Sequence, residues 1–297
     1  MNDQKLTVYK NSYFSRPQLT SSPKIIVFDL DETLGSFFLL NILWRGLNQV
    51  RNNTTFDEQG EFNKILDLYP EFLRYGILHI IEFLYSKKKQ GLIHKIYIYT
   101  NNNCTPPWVT LISNYFNYKL GINCNKNSNS EPIFDKTICA FKINNKVLEI
   151  SRTTHEKTYS DFITCTMLPK CTEICFIDNT YHKNMVTEKV YYIQPRAYCH
   201  HLHPNTVLDR FYASSVGFSM KTIFDKDDSY REYLCDWFAS NGVVFDTVCL
   251  DISYTTTDIF VSQKLMYHLR DFIYTNLRRK QTRKQNIRIG KTTRKNR

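Results

Sequence analysis

Four short apolar runs alternate along the chain with longer segments in which apolar residues recur at helical spacing. Runs of about five β-branched and aromatic residues that end in polar residues are typical of buried strands. Strands that alternate with helices favour an α/β fold, in which an open parallel sheet carries helices on both faces. The predicted strands are residues 24–28 (KIIVF), 95–99 (KIYIY), 173–177 (EICFI) and 189–193 (KVYYI).

Helical periodicity fills most of the chain around these strands. A polar stretch over 51–60 separates the first predicted helix from the second. Over 137–150, apolar and polar residues alternate around Asn144 and Asn145, which predicts a small β-hairpin insert, since asparagine tolerates the left-handed backbone of a two-residue turn. The predicted helices are residues 37–50, 72–85, 108–120, 157–168, 205–218, 229–238 and about 258–277.

The composition is that of an ordinary folded protein, because 42% of the 297 residues are hydrophobic and 23% are charged. These values exclude a disordered or low-complexity chain. No apolar run approaches the ~20 residues needed to cross a bilayer, and residues 1–15 lack the apolar block of a signal peptide. We therefore expect an intracellular protein, cytoplasmic or nuclear, that does not contact a membrane.

The net charge of +11 comes from the end of the chain. Residues 278–297 hold ten of the 39 Lys and Arg residues and no acid, which leaves 29 basic residues against 28 acidic ones elsewhere. Blocks of like charge are usually solvated and disordered, and some bind nucleic acid or act as import signals. We expect a disordered basic tail; whether it contacts nucleic acid, directs import or does neither stays open.

The expected organisation has four parts. Residues 1–21 form an N-terminal extension, and residues 22–225 form the α/β domain. Residues 226–277 form a mainly helical extension without a chemical motif, whose apolar stripe is expected to pack on the sheet. Residues 278–297 are the basic tail.

Polar side chains follow three of the predicted strands at the point where each ends. Asp29 and Asp31 follow the first strand, Thr100 the second, and Asp178 and Asn179 the third. The carboxyl ends of parallel strands lie along one edge of a sheet, where ligands bind. Carboxyl groups that come together there repel one another unless a cation joins them, and oxygen ligands of this kind favour Mg²⁺.

These residues resemble the motifs of a known superfamily. The sequence Asp29–Leu34 (DLDETL) after a hydrophobic strand resembles motif I of the haloacid dehalogenase (HAD) superfamily, in the spelling of its carboxy-terminal-domain phosphatase branch, akin to the NLI-interacting-factor family. Thr100 resembles motif II, and Asp178-Asn179 resembles motif IV. For the lysine of motif III, Lys157 is the first choice and Lys170 the alternative. The resemblance spans residues 22 to 195.

The resemblance implies a role for each matched side chain. Asp29 would be the nucleophile that forms an aspartyl-phosphate, and Asp31 the general acid that then becomes the base for water. Thr33 and Thr100 would orient Asp31 and hold phosphate oxygens. Lys157 would neutralise charge at the nucleophile and at the phosphoryl group.

The resemblance also implies a metal and a reaction. Mg²⁺ would be held by Asp29, by the main-chain oxygen of Asp31 and by the pair Asp178 and Asn179. Because both acids of motif I are present, the resemblance implies hydrolysis of a phosphate monoester through an aspartyl-phosphate.

The lengths of the insertions bear on the substrate. The 60 residues of 35–94 and the hairpin over 137–150 are too short for the lid of about 100 residues that would enclose a small molecule. An open cleft that accepts phosphoserine or phosphothreonine in a protein or peptide is therefore the leading hypothesis. Two alternatives stay open: a polynucleotide-end or nucleotide phosphatase, suggested by the basic tail, and a non-enzymatic scaffold that binds phosphopeptides.

Overall fold

The computed structural model describes residues 5–15, 22–51, 57–102, 107–123, 130–221, 227–245 and 254–293. Within these ranges the chain is an α/β protein with a mostly parallel six-stranded sheet flanked by helices, compatible with a Rossmann-like fold. The strands are β1 (Leu6–Tyr9), β2 (Lys24–Phe28), β3 (Lys95–Tyr99), β4 (Lys136–Ile138), β5 (Lys142–Ile143), β6 (Lys146–Val147), β7 (Glu173–Ile177) and β8 (Val190–Pro195).

The large sheet has the strand order β1-β8-β7-β2-β3-β4. Strands β2, β3, β4, β7 and β8 are parallel, and β1 pairs antiparallel with β8 at one edge. The four strands predicted from the sequence are the four central ones. The helices are α1 (Phe38–Val50), α2 (Glu58–Asp67), α3 (Ile77–Lys89), α4 (Trp108–Lys119), α5 (Tyr159–Thr166), α6 (Pro204–Tyr212), α7 (Ser215–Lys221), α8 (Asp227–Ser240) and α9 (Thr256–Thr293).

Both edge strands depart from the sequence prediction. β1 lies inside the expected N-terminal extension, where its four residues become a strand because β8 supplies hydrogen-bond partners. β4 lies partly inside the predicted hairpin but pairs with β3 in the large sheet. The hairpin is therefore smaller than predicted and consists of β5 and β6 around Asn144 and Asn145, which have positive φ angles of 48° and 62°.

Three helices also differ from the prediction. α2 was not predicted, although Asp57 caps its start by accepting a hydrogen bond from the Gly60 N–H at 2.9 Å. α3 begins at Ile77 rather than at residue 72, because Gly76 before it has a left-handed backbone with φ 72°. The single helix predicted over 205–218 is two helices, α6 and α7, which Ala213 and Ser214 separate.

The C-terminal helices share the core of the sheet. The predicted stripe of α9 is buried, and Phe272 packs against Tyr191 of β8 with ring centroids 5.8 Å apart. In α8, the Trp237 indole donates to the main-chain oxygen of Ile42 in α1 at 2.9 Å. The expected packing on the sheet is confirmed, while the expected boundary at 225/226 lies outside the described residues. The buried stripe of α9 consists of Val261, Leu265, Leu269, Phe272 and Ile273.

α9 also continues to Thr293, so the helix includes most of the basic tail that was expected to be disordered. Lysine, arginine and glutamine, which dominate this stretch, are good helix formers, so backbone propensity extends the helix beyond its apolar stripe. No helix in the described part of the chain is long and apolar enough to span a bilayer.

The two faces of the sheet are covered unequally. Alternate strand residues such as Ile26, Phe28 and Ile177 point into a large core shared with most of the helices. Their neighbours Val27 and Phe176 point into a smaller core on the other face, which α5 covers. The carboxyl ends of β2, β3 and β7 meet at one edge between these two layers.

Candidate functional site

A lysine lies between two aspartates at the carboxyl edge of the sheet. Lys157 Nζ donates to Asp178 Oδ2 at 2.7 Å and also to Asp29 Oδ1. All three side chains are almost fully buried, with relative exposures of 2% for Lys157, 8% for Asp29 and 1% for Asp178. Residues 128 and 21 positions apart along the chain are therefore joined in one charged centre.

The parallel sheet brings the two aspartates together. The N–H of Asp29 donates to the Ile177 oxygen at 2.8 Å, and the N–H of Asp178 donates to the Ile193 oxygen at 3.2 Å. Each aspartate therefore extends the ladder by one residue beyond its strand. Lys157 precedes α5, whose first residue is Tyr159 rather than Lys157 as predicted, because Thr158 caps the helix.

The charged groups of this centre shift one another's pKa values. Burial raises the pKa of Asp29 to about 6, even though the Lys157 ammonium lowers it. Burial lowers the pKa of Lys157, but its two carboxylate partners outweigh burial, so the pKa lies above its ordinary value. Burial also disfavours the charged form of Asp178, yet Lys157 and His182 hold its pKa below the ordinary value. At neutral pH the centre holds one ammonium and two carboxylates.

Asp31 lies on the turn that follows Asp29. Its Oδ2 accepts a hydrogen bond from Asn102 Nδ2 at 2.9 Å. Burial raises the pKa of Asp31, and the bond from Asn102 offsets part of that shift. A raised pKa favours the protonated form that a proton donor needs.

The turn itself is held by a buried arginine that the sequence analysis missed. Arg74, 2% exposed, donates through Nε to the main-chain oxygen of Thr33 at 2.6 Å and through Nη2 to that of Glu32. Burial lowers the pKa of Arg74 to about 10. Glu32 has a positive φ angle of 57°, and the added donors stabilise this unusual backbone conformation.

Thr33 contacts Asn179 rather than Asp31. Its hydroxyl donates to Asn179 Oδ1 at 2.9 Å and accepts from the Asn179 N–H at 3.1 Å. The Asn179 amide nitrogen donates to Glu32 Oε2 at 3.1 Å. The expected role of Thr33 in orienting Asp31 is therefore not seen, and Thr33 fixes which way the Asn179 amide faces.

Thr100 reaches Asp31 through a neighbour. Its hydroxyl oxygen accepts from the Asn102 N–H at 3.0 Å, and the side chain of Asn102 is the one that contacts Asp31. Thr100 is 1% exposed at the end of β3. The contact expected between Thr100 and Asp31 is thus replaced by a bridge through Asn102, which the sequence analysis did not single out.

Arg152 connects the loops of the site through hydrogen bonds. Its guanidinium, 2% exposed, donates to the main-chain oxygens of Thr100 at 3.1 Å and Cys139 at 2.7 Å. It also donates to the oxygens of His155 at 3.0 Å and Glu156 at 3.2 Å, directly before Lys157. One side chain therefore links the end of β3 to the segment that positions Lys157.

The oxygen donors at this edge fit Mg²⁺, with one change to the expected set. Both oxygens of Asp178 already accept hydrogen bonds, Oδ1 from the Thr180 N–H at 2.8 Å and Oδ2 from Lys157. In the described part of the chain, Asp29 Oδ2 accepts none. Asn179 Oδ1 also accepts one hydrogen bond, from the Thr33 hydroxyl at 2.9 Å, but Asn179 is half-buried whereas Asp178 is 1% exposed. Asp29, the main-chain oxygen of Asp31 and the amide oxygen of Asn179 are hard donors of the kind Mg²⁺ prefers, and the greater exposure of Asn179 favours it over Asp178.

This donor set includes one side-chain carboxylate, one amide and one main-chain oxygen. Within the described residues, no three His, Cys, Asp or Glu side chains lie together so that they could hold a metal ion. Lys170, the alternative motif III lysine, is exposed, and its main-chain oxygen accepts from Lys189 Nζ at 3.0 Å. Lys157, not Lys170, therefore contacts the aspartates.

His182 is a further neighbour that the sequence did not identify as part of the site. Its Nε2 lies 3.3 Å from Asp178 Oδ2, four residues along the chain. Asp178 therefore has two nitrogen donors beside the same oxygen, which fixes its orientation. Comparisons with protein-family models, with curated proteins and with solved structures find no match to this chain.

Proposed function

We propose that this protein is a phosphatase of the HAD type, which hydrolyses a phosphate monoester through a phosphorylated Asp29. The observation that carries the proposal is the buried ammonium of Lys157 between Asp29 and Asp178. An ammonium at this place keeps Asp29 ionised despite burial and is positioned to offset the negative charge of an incoming phosphoryl group. The order of these residues along the chain also resembles that of the superfamily's motifs.

In the proposed reaction, a carboxylate oxygen of Asp29 attacks phosphorus, and the bond from phosphorus to the ester oxygen breaks. Asp31, protonated at the start, gives its proton to the departing oxygen. Asp31 then accepts a proton from a water molecule, which attacks the phosphorus of the aspartyl-phosphate. Inorganic phosphate leaves, Asp29 is restored as a carboxylate, and Asp31 is again protonated.

The surrounding side chains position Asp29 and Asp31 and balance the charge around them. Asp178 balances the charge of Lys157 and holds it in place, and Asn102 holds the carboxyl of Asp31. Asp29, the main-chain oxygen of Asp31 and Asn179 would hold Mg²⁺, which when bound draws phosphate oxygens toward the site and offsets their charge.

The proposal is tested by turnover of p-nitrophenyl phosphate with Mg²⁺, comparing the wild type with Asp29→Asn. We expect the variant to lose at least about a thousandfold in kcat/KM, because the amide is a very weak nucleophile. Asp209→Asn is the matched control, since it makes the same chemical change in an exposed ion pair with Arg231.

Equal turnover by the wild type and Asp29→Asn would overturn the proposal. Negligible turnover by both proteins, together with tight binding of a phosphopeptide, would instead support the scaffold alternative.

A further inference from the structure

The loop that follows β7 is held by side chains of the neighbouring strand β8. Tyr192 and Gln194 lie two positions apart on β8 and therefore on the same face of the sheet. The Tyr192 hydroxyl donates to the main-chain oxygen of Thr180 and accepts from the His182 N–H, the latter at 3.2 Å. Gln194 Nε2 donates to the main-chain oxygen of Asn179 at 3.1 Å. Two side chains of one strand therefore fix the main chain of this loop.

Gln194 uses both ends of its carboxamide. The Asn179 oxygen can only accept a hydrogen bond, so the nitrogen of Gln194 faces it and the amide oxygen of Gln194 is left for a donor. That oxygen, Oε1, accepts from the Tyr9 hydroxyl at 2.9 Å. Tyr9 is the last residue of β1 and pairs with Tyr192 in the register, so Gln194 is its diagonal neighbour on β8. A single side chain thereby connects the N-terminal strand to the loop.

Tyr9 also contacts the loop through its ring. The ring centroid of Tyr9 lies 5.0 Å from that of Tyr181, which belongs to the loop, and 5.5 Å from that of Tyr192. Tilted contacts between aromatic rings are favourable, so these two neighbours hold the Tyr9 hydroxyl within reach of Gln194. β1 lies in the segment 1–21 that was expected to be an extension outside the α/β domain, yet its last residue packs against the loop of the candidate site.

The hydrogen bond from Gln194 acts on Asn179, the amide ligand proposed for Mg²⁺ beside Asp29. The Asn179 N–H donates to Thr33 Oγ1 at 3.1 Å, and the Asn179 main-chain oxygen accepts from Gln194. These two groups belong to the peptide planes on either side of the Cα atom, so fixing both planes fixes the direction in which the side chain leaves the main chain. The Thr33 hydroxyl, which donates to Asn179 Oδ1, then sets how the amide is turned. The direction of Asn179 Oδ1 therefore depends on Thr33 and Gln194 together.

We propose that Gln194 is a positioning residue for Asn179 and that Tyr9 holds Gln194 in place, so that strand β1 raises the affinity of the site for a divalent cation. The inference rests on the proposed function, because it uses the Mg²⁺ ligands Asp29, Asp31 and Asn179. Side chains that orient a metal ligand without touching the metal typically contribute about tenfold to a hundredfold in affinity. Gln194 and Tyr9 are such side chains, because their hydrogen bonds lead to the main chain of Asn179.

The test measures binding of Mn²⁺, a probe that takes the same oxygen ligands as Mg²⁺, from the electron paramagnetic resonance signal of the free ion. Gln194→Met removes the carboxamide and keeps the length of the side chain, and Tyr9→Phe removes only the hydroxyl. Gln59→Met is the matched control, because Gln59 Nε2 also donates to a main-chain oxygen, that of Leu111, in the contact between α2 and α4. Only the Mn²⁺ binding that Asp29→Asn weakens is assigned to the site.

We expect Gln194→Met to raise the dissociation constant for Mn²⁺ by about tenfold or more, and Tyr9→Phe to raise it by about threefold, since Tyr9 acts through Gln194. The Mg²⁺ concentration that gives half-maximal turnover of p-nitrophenyl phosphate should rise by the same factors. Saturating Mg²⁺ should restore kcat in both variants to within about twofold of the wild type, because the variants lose affinity for the metal and keep the reacting groups. Gln59→Met should change none of these values.

An unchanged dissociation constant in Gln194→Met, or a loss of kcat that saturating Mg²⁺ does not restore, would overturn the inference, since the second result is that of a structural role alone. An unchanged constant in Tyr9→Phe would overturn the role assigned to β1, and this variant decides the test if Gln194→Met does not fold. Turnover that depends on Asp29 would leave the proposed function standing in each case. Absence of both turnover and Mn²⁺ binding in the wild type would count against the proposed function itself, and the inference would fall with it.

Discussion

A buried lysine lies beside carboxylates at each end of the strand pair β2 and β7. At the amino end, Lys24 and Glu173 are register partners, with Nζ 3.8 Å from Oε2. At the carboxyl end, Lys157 lies between Asp29 and Asp178. Both groups lie at the same sheet, are buried and consist of lysine and carboxylate side chains. The differences between them therefore indicate which features make the carboxyl-end group a candidate for catalysis.

The lysine at the amino end, Lys24, binds α9 to the sheet. Lys24 Nζ donates to the main-chain oxygens of Ile273, at 3.1 Å, and of Phe272, whose ring centroid lies 5.1 Å away. The Glu173 carboxylate lies beside this ammonium, and the two main-chain oxygens accept its hydrogen bonds. A buried cation matched in this way has a structural role.

The carboxyl-end group is unbalanced. One ammonium faces two carboxylates, and Asp31 follows on the next turn. Such an excess of negative charge in a partly closed site is stable when a cation or a phosphoryl group with its metal joins it. Both groups are buried, so burial does not distinguish them, whereas the excess of carboxylates at the carboxyl edge does and makes that group the candidate site.

The largest expected effect separates the two lysines. Lys157→Met should lower kcat/KM for p-nitrophenyl phosphate by about a thousandfold, because the phosphoryl group loses its buried countercharge. Lys24→Met should leave the turnover per folded molecule within about twofold, since Lys24 lies at the opposite end of the strands.

Urea unfolding provides the other half of this test. Lys24→Met should lower the free energy of unfolding by about 3 kcal/mol, because it removes the buried ammonium that lies beside Glu173 and that donates to α9. If Lys24→Met abolished turnover while the variant stayed folded, the assignment of separate roles to the two ends would be wrong.

A pH dependence of stability should distinguish Asp29 from its neighbours. In the folded protein the pKa of Asp29 is raised to about 6 from an ordinary 3.8, so this group stabilises the fold most below pH 3.8 and loses that contribution as pH rises through 6. Relative to Asp29→Asn, the wild type should therefore lose up to about 3 kcal/mol of unfolding free energy between pH 4 and 7.

The measurement is urea unfolding of both proteins across this pH range in the presence of a chelator, so that no metal shifts the titration. A difference between the wild type and Asp29→Asn that stays constant with pH would contradict the raised pKa.

A smaller effect is expected from Arg152. Arg152→Lys keeps the charge but loses most of the donors that hold Thr100 and the segment before Lys157. We expect kcat to fall by about tenfold to a hundredfold with little change in KM, since the reacting groups move while the binding surface stays.

Arg210→Lys is the control, because Arg210 pairs with Glu71 and donates to none of the residues that Arg152 contacts. Both variants are to be compared at a temperature where their circular dichroism matches the wild type. A kcat for Arg152→Lys equal to that of the wild type would show that Arg152 does not position the site.

The strand-end residues could be predicted because their signal is local. Asp29 and Asp178 directly follow apolar runs, and parallel strands bring their carboxyl ends to one edge. Arg74 and Arg152 carry no such signal, since most of their partners are main-chain oxygens, as far as 122 and 52 residues away. Their roles depend on tertiary contacts that periodicity does not encode.

The fold was predictable to a similar degree. The central strands followed from their composition, whereas β1 depends on pairing with residues near 195. α2 did leave a signal, because Phe62, Ile65 and Leu66 are buried at helical spacing. The polar residues before them, with Gly60 in the first turn of the helix, indicate a break between helices over 51–60. The helical spacing that follows this break was therefore not recognised as a helix.

The most direct test of the central account follows the phosphoryl group in Asp31→Asn. With p-nitrophenyl phosphate the departing phenolate needs no proton, so Asp29 should react while the second step lacks its base. We expect a burst of p-nitrophenolate of about one equivalent per enzyme, followed by slow turnover, and mass spectrometry should place one phosphoryl group on the peptide that contains Asp29. Steady turnover without a burst, or a phosphoryl group on any other residue, would contradict the account.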